Sequence, residues 1–344
     1  MYKYTHLINE NIAPIGATKI CAYRNGKKVC DIDLGRLKQP TQTKRYSFLA
    51  LADVHITYDT ASTDFQRALT FAESSEDCFF TCVCGDLTGS GNADELSQYK
   101  AIVEAVAKTK PVYAIAGNHE SYDVYNILQN YTGKPLYYSF NHGNDVFIMV
   151  GHAGGWRASA SNWVGGEQFT QEELQWLYNT LEDNRDKRCF VFCHVFPYND
   201  GVGNAKGLYT NDNWTSANGT VFENLMKHYK NTILFHGHSH LRFKLQEVDK
   251  KANYSSEVGY RSVHIPSLSV PRDIATGGGY ETIYAESEGY VVDVYDDCII
   301  LNGRDFIDND ADGHIIPIGT YKIDTALQAI PPNTFVDSTG TIIT

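Results

Sequence analysis

Tyr46-Ser47-Phe48-Leu49-Ala50-Leu51-Ala52-Asp53-Val54-His55 is the stretch whose reading decides the fold. Its first six residues form an almost unbroken apolar run, which reads as a strand covered on both faces. The run then gives way to Asp53-x-His55, two ligand-type side chains on the following loop. Polar groups just past the C-terminal end of a buried strand mark the place where α/β folds gather their sites.

The same pattern recurs along the chain. Residues 63–74 read as a helix with Thr or Asp near its cap. A strand over 78–84 ends in Gly85-Asp86-Leu87-Thr88-Gly89, and a helix follows over about 93–108. A strand over 112–116 ends in Gly117-Asn118-His119-Glu120. Residues 146–150 read as a strand ending in Gly151-His152, and Thr170-Gln171-Glu172-Glu173 is a capping box that opens a helix. A strand over 189–193 ends in His194. A helix over 220–229 leads to a strand over 233–235 and then to Gly237-His238-Ser239-His240. Segments 261–265, 290–295 and 298–301 read as strands joined by short turns, hence antiparallel. Glycines 85, 117 and 237 fit sharp backbone turns at the strand ends.

Five strand ends carrying ligand-type residues in series are hard to explain as core histidines or capping aspartates. The donor set is Asp, Asn and His without thiolate, which suits Fe, Mn, Zn or Co. It is larger than one ion needs, so two ions are expected. Two metals bridged by a carboxylate and a water-derived hydroxide suit in-line attack on phosphorus.

Composition sets limits on partners and compartment. The chain has 344 residues, 42% hydrophobic, and a formal net charge of −12. That charge argues against a broad nucleic-acid-binding surface, while a local metal site inside an acidic shell can still attract phosphate. The N-terminus opens no apolar run, and no stretch reaches the ~18 apolar residues of a membrane span, so a cytoplasmic location with no membrane contact is expected. Most of the eight cysteines read as buried thiols. A hairpin turn at Asn25-Gly26, with 24 facing 27, would place Cys21 opposite Cys30, where a disulfide is geometrically possible. Asp308-Asn309-Asp310-Ala311-Asp312-Gly313 mimics a calcium loop, but its twelfth position is Gly319 and not Glu, so it reads as a solvated hairpin tip.

Taken together, these motifs resemble the calcineurin-like (binuclear) metallophosphoesterases. That family's pattern is Asp-x-His, Gly-Asp, Gly-Asn-His-Asp/Glu, His and Gly-His-x-His, and every element stands here in order between residues 53 and 240. The resemblance implies an α/β fold of the metallophosphoesterase type, a two-sheet β-sandwich flanked by helices. An accessory N-terminal β-hairpin and C-terminal antiparallel strands would be added to it. Residues 1–44 would be the accessory segment, 45–305 the catalytic domain and 306–344 a C-terminal strand and tail.

The resemblance also implies roles. Asp53, His55 and His240 would hold one metal, Asn118, His194 and His238 the other, and Asp86 would bridge them. His119 would assist the leaving oxygen or the charged phosphorus centre, with Glu120 orienting and charging it. The Leu87-Thr88-Gly89 continuation lacks the tyrosine of purple acid phosphatases and the Asp-Arg-Gly of Ser/Thr protein phosphatases. A small phosphomonoester or phosphodiester is then the expected substrate. A cyclic-nucleotide phosphodiesterase, a nuclease and a non-catalytic scaffold are the alternatives. His152 and Arg157 are candidate substrate contacts. Lys206 and Arg272 are further cations in long loops, with Trp156, Trp163, Tyr198, Tyr209 and Trp214 as a candidate aromatic wall.

Overall fold

The computed structural model describes residues 19–24, 27–33, 43–57, 60–120, 129–151, 169–195, 202, 217–247, 252–257, 259–309, 315–331, 335–336 and 341–342. Strands β3 (Tyr46–Leu51), β4 (Cys78–Cys84) and β5 (Val112–Ile115) run parallel, linked by helices α1 (Ala61–Ser74) and α2 (Ala93–Val106). Three antiparallel strands extend the β3 edge: β14 (Glu288–Val294), β15 (Cys298–Asn309) and β16 (Ile315–Asp324). The order of this sheet is β16-β15-β14-β3-β4-β5.

A second six-stranded sheet faces it. Its parallel centre is β7 (Asp145–Val150), β8 (Cys189–Cys193), β9 (Thr232–His236) and β11 (Arg261–His264), with α3 (Gln171–Asp183) and α4 (Ala217–His228) as crossovers. β6 (Tyr137–His142) and β10 (Tyr254–Ser255) close the two edges antiparallel. The expected two-sheet sandwich flanked by helices is therefore present.

Each layer follows from its residues. Alternate side chains of the apolar strands meet between the sheets, where Phe48, Phe80, Phe147, Phe190, Phe192 and Phe235 form one buried cluster. The opposite faces of the same strands are covered by α1 and α2 on one side and by α3 and α4 on the other. That double covering is why the strands read as continuous apolar runs. The expected capping box forms, with Thr170 Oγ1 accepting from the Glu173 N–H at 3.1 Å. Asn92 caps α2 in the same way, accepting from the Glu95 N–H at 3.0 Å.

At the end of the sandwich where β8 begins, Arg188 Nη2 and Nε meet the two oxygens of Asp145 at 2.8 and 3.1 Å, both residues buried. Arg188 Nη1 donates to the Tyr295 carbonyl and to Thr325 Oγ1 at 2.8 Å each, tying one sheet to the other.

Two expectations are corrected. β14 and β15 are antiparallel as expected, but β11 does not join them: it lies in the other sheet, parallel to β9 and antiparallel to the short β10, because β9 and β11 are joined by a long crossover and not a tight turn. Strand β6 was not foreseen. Cys21 does not face Cys30, because an irregularity between Ala22 and Tyr23 in the pairing of β1 (Lys19–Arg24) with β2 (Lys27–Asp33) sets Cys21 opposite Asp31 and Ala22 opposite Cys30. One extra residue on a strand shifts every later pair. The Asn25-Gly26 turn itself lies outside the described residues, as does most of the calcium-loop mimic between β15 and β16. The six cysteines with described side chains are buried free thiols. Among the described residues no helix is long and apolar enough to cross a membrane.

Candidate metal centre

The C-terminal ends of β3, β4, β8 and β9 and the loop after β5 converge at one end of the sandwich. Asp53, His55, Asp86 and His240 offer ligand atoms within 4.8 Å of one another, and Asp86, His194 and His238 form a second such group. Asp86 belongs to both. Asn118 Oδ1 joins the second group, 3.0 Å from His194 Nε2 and 2.8 Å from His238 Nδ1. In the first group His55 Nε2 and His240 Nε2 face each other at 3.1 Å, and His240 Nε2 lies 3.1 Å from Asp53 Oδ1.

The backbone is bent to make this possible. Asp53, His55, Asp86, His238 and His240 all have positive φ, between 47° and 75°, a region that non-glycine residues seldom enter. Among the described non-glycine residues only Thr57 shares it. The three glycines serve two different needs. Gly85 does take a left-handed turn at φ +80°, and a Cβ there would also fall 2.5 Å from His194 Nδ1. Gly117 and Gly237 have no such φ, which corrects the turn explanation. A Cβ on Gly117 would collide with the Asp86 backbone and carboxylate, and one on Gly237 would lie 2.6 Å from Ala52 Cβ and 2.7 Å from Asp53 Oδ2. These two positions are kept empty so that neighbouring strand ends can approach.

Electrostatics explain why the cluster wants cations. Burial pushes the Asp53 carboxyl up, and neighbouring Asp86 adds to it, against the opposing charge of His194. Burial acts on Asp86 in the same sense, but His194, His119 and His55 together hold it well below the usual carboxylate range. Burial lowers His55 to about 3, despite Asp86. Burial would also lower His194, yet Asp86 and Asp53 bring it up to about 9. Two buried carboxylates, an amide oxygen and four imidazoles turn their ligand atoms toward one another. Dications would favour the ionised form of Asp53 and the neutral form of His194, the two groups held the other way here, and suit the low Asp86 and His55 as they stand. The donor set therefore fits two metal ions of the N/O-preferring kind.

His119 sits at the rim, its side chain 13% exposed, with Nε2 3.9 Å from Asp86 Oδ2. Its N–H donates to Asp86 Oδ1 at 2.9 Å, and its Nδ1 faces the Gly89 carbonyl at 2.6 Å. Glu120 is not the group that orients this ring. Its Oε1 accepts from the Thr88 N–H at 3.0 Å and from Thr88 Oγ1 at 2.8 Å, and its Oε2 accepts from the Gly117 N–H at 2.7 Å. The carboxylate binds the β4 loop to the β5 loop, and the Gly89 carbonyl is the group that meets His119 Nδ1.

Several supporting residues were not foreseen. Ser267 and Ser269 both donate to the Asp53 carbonyl, at 3.2 and 3.1 Å. They lie in Pro266-Ser267-Leu268-Ser269, just past β11, so the strand-then-polar pattern could have flagged them. The His238 N–H reaches both Asp53 oxygens at 3.1 Å. Arg272 N–H donates to the His240 carbonyl at 2.7 Å, and its guanidinium lies 5.7 Å from the centre of the Tyr280 ring. His152, Arg157, Lys206 and the five loop aromatics lie outside the described residues.

The calcineurin-like phosphoesterase family model matches residues 46–242 of the chain. No curated protein matches the sequence. Among solved structures, a predicted phosphoesterase from Streptococcus pneumoniae TIGR4 is similar at 12% identity and TM-score 0.38, over 81% of this chain and 97% of its own. Vps29 from Chaetomium thermophilum is similar at 13% identity and TM-score 0.36, over 83% and 97%. The sulfate thiohydrolase SoxB from Thermus thermophilus is similar at 9% identity and TM-score 0.40, over 85% and 59%.

Proposed function

This chain belongs to the calcineurin-like phosphoesterase family, and on that premise we propose that it hydrolyses small phosphomonoesters or phosphodiesters in a metal-dependent reaction. The observation that carries the reading is the Asp86 carboxylate shared between the two donor groups. Its Oδ2 stands 3.1 Å from His194 Nε2 and 3.7 Å from His55 Nε2, one imidazole from each group. Asp53, His55 and His240 would hold one ion, Asn118, His194 and His238 the other, and Asp86 both. When bound, the ions would supply Lewis acidity toward the phosphoryl oxygens and lower the pKa of the attacking water. Manganese, iron or zinc suits the donors.

The remaining work falls to side chains. With Nδ1–H donated to the Gly89 carbonyl, His119 turns Nε2 toward the shared carboxylate and the rim. From there it passes a proton to the departing oxygen or stabilises charge on the phosphoryl group. Glu120 keeps Thr88 and Gly117 in register, so that Asp86 and Asn118 hold their spacing. The net charge of −12 disfavours long polyanions and favours a small ester.

The test is a substrate panel on metal-free protein reconstituted separately with manganese, zinc or ferrous ion. The panel holds an aryl phosphomonoester, a bis-aryl diester, cyclic nucleotides and single-stranded DNA, each with a chelator control. Metal-dependent turnover of a small ester is expected, and His119→Ala should lose about 100-fold or more in kcat with both ions retained. No metal-dependent turnover of any phosphoester would leave a non-catalytic scaffold as the better reading. Loss of metal in His119→Ala would remove the role assigned to that ring.

A further inference from the structure

Behind the donor cluster runs a second polar chain that none of the expected ligands explains. Ser239, between the two histidines of the β9 loop, has its Oγ 2.9 Å from His264 Nε2. His264 Nδ1 lies 3.0 Å from Asn253 Oδ1. All three residues are fully buried.

Hydrogen-bond direction in this chain is fixed from one end. Asn253 Nδ2 donates to the Arg242 and Phe243 carbonyls at 3.1 and 3.0 Å, which leaves Oδ1 as the acceptor facing the imidazole. His264 must then carry its proton on Nδ1, so its Nε2 is an acceptor and Ser239 Oγ–H donates to it. A second bond, from the His264 N–H to the Asn253 carbonyl at 2.8 Å, locks the same pair. Hydroxyl, imidazole and amide in this order also occur in nucleophilic hydrolases, but a nucleophile must reach its substrate. Ser239 is 0% exposed and its hydroxyl is directed toward β11, so that use is excluded.

We propose that Ser239–His264–Asn253 is a positioning chain that sets the β9 loop, and with it one imidazole for each of the two ions. The inference rests on reading His238 and His240 as ligands. Both have left-handed backbones, with Ser239 between them, so the hydroxyl is anchored at the middle of the strained segment. His264 stands at the end of β11 as the register partner of His236, the last residue of β9. The chain therefore ties the loop to the adjacent strand. Without it, the loop is free to relax toward ordinary φ values, turning both imidazoles away together.

The experiment is a calorimetric titration of metal-free wild type, Ser239→Ala, Ser239→Thr, His264→Phe and the Ser239→Ala/His264→Phe double variant with Mn²⁺. The thermal unfolding of each metal-free protein is followed alongside. Wild type should bind two ions. Ser239→Ala should weaken both steps about 10-fold with the metal-free Tm nearly unchanged, and Ser239→Thr should restore binding to within about 2-fold. The double variant should bind no more weakly than His264→Phe alone, since both break one chain. Wild-type affinity in Ser239→Ala, additive losses, or no recovery with Thr would each overturn the proposal. If His264→Phe does not fold, the two Ser239 variants decide it. Failure of wild type itself to bind two ions would instead remove the ligand assignment, and the positioning chain with it.

Discussion

Glu288, at the start of β14, allows a prediction whose size follows from its surroundings. The residue is 2% exposed, and its Oε2 accepts from the Phe243 N–H at 2.7 Å, just beyond the loop that carries His238 and His240. Burial is the largest influence on its carboxyl; it overcomes the Phe243 hydrogen bond and, with Glu286 adding, pushes the pKa from 4.5 up to about 8. A carboxyl whose folded pKa is raised stabilises the fold fully below its unfolded pKa, and that contribution is lost as pH rises through the folded value. The window here runs from 4.5 to about 8. At ~1.4 kcal/mol per pH unit, the whole gap is worth ~5 kcal/mol. Glu288→Gln keeps an acceptor for Phe243 but cannot ionise, so it should remove this pH dependence. Urea unfolding of wild type and variant at pH 5, 7 and 9, in chelator so that metal linkage is absent, measures it. The two proteins should be similar at pH 5, and the variant should be the more stable by several kcal/mol at pH 9. An equal difference between them at pH 5 and pH 9 would refute the argument.

Two further outcomes follow from single residues. Asp86→Asn removes the one carboxylate common to both donor groups, so metal content measured by mass spectrometry should fall below two ions per chain, with a loss of about 100-fold or more in kcat. Arg188→Ala leaves Asp145 buried against only Tyr46 Oη at 2.6 Å and Arg45 Nη1 at 3.5 Å. Removing one member of a buried pair costs about 3–5 kcal/mol. The two surviving contacts put the expected loss near the lower figure, read from the urea midpoint.

What was legible in the sequence was whatever a short window contains. Tyr46–Leu51 announced a strand covered on both faces, and the break at Asp53 announced a site beyond it. Repetition of that break at Asp86, Asn118, His194 and His238 was enough to expect two ions. Pairings decided by distant residues were not legible. The direction of β11 depends on how residues 237–260 cross, and nothing local to 261–264 records it. The resemblance points Glu120 at His119, whereas its oxygens are claimed by Thr88 and Gly117. A local window shows only the flexibility of Gly117 and Gly237, while their real constraint is the neighbouring Asp86 and Asp53. Ser239, His264 and Asn253 each look like ordinary polar residues until the fold stacks them.

The left-handed residues show why so much of this support is needed. Each such non-glycine backbone costs of the order of 1–3 kcal/mol and persists only where its surroundings over-determine it. Those surroundings can be named for most of them. Asp53 is held through its carbonyl by Ser267 and Ser269 and through its carboxylate by the His238 N–H. Asp86 is held by the His119 N–H, and His240 by the Arg272 N–H. Thr57, the one left-handed non-glycine residue outside the donor set among the described residues, is held by Glu95 at 3.2 Å. Most of these fasteners come from a different strand end than the residue they hold. The donor loops are consequently not independent arms but one interlocked rim, in which moving Asp53 displaces His238 and moving His119 displaces Asp86. A centre built this way has its spacing fixed by the protein before any ion arrives. It follows that damage to a fastener should lower affinity at both ion positions together, whereas a centre assembled by flexible arms would lose them one at a time.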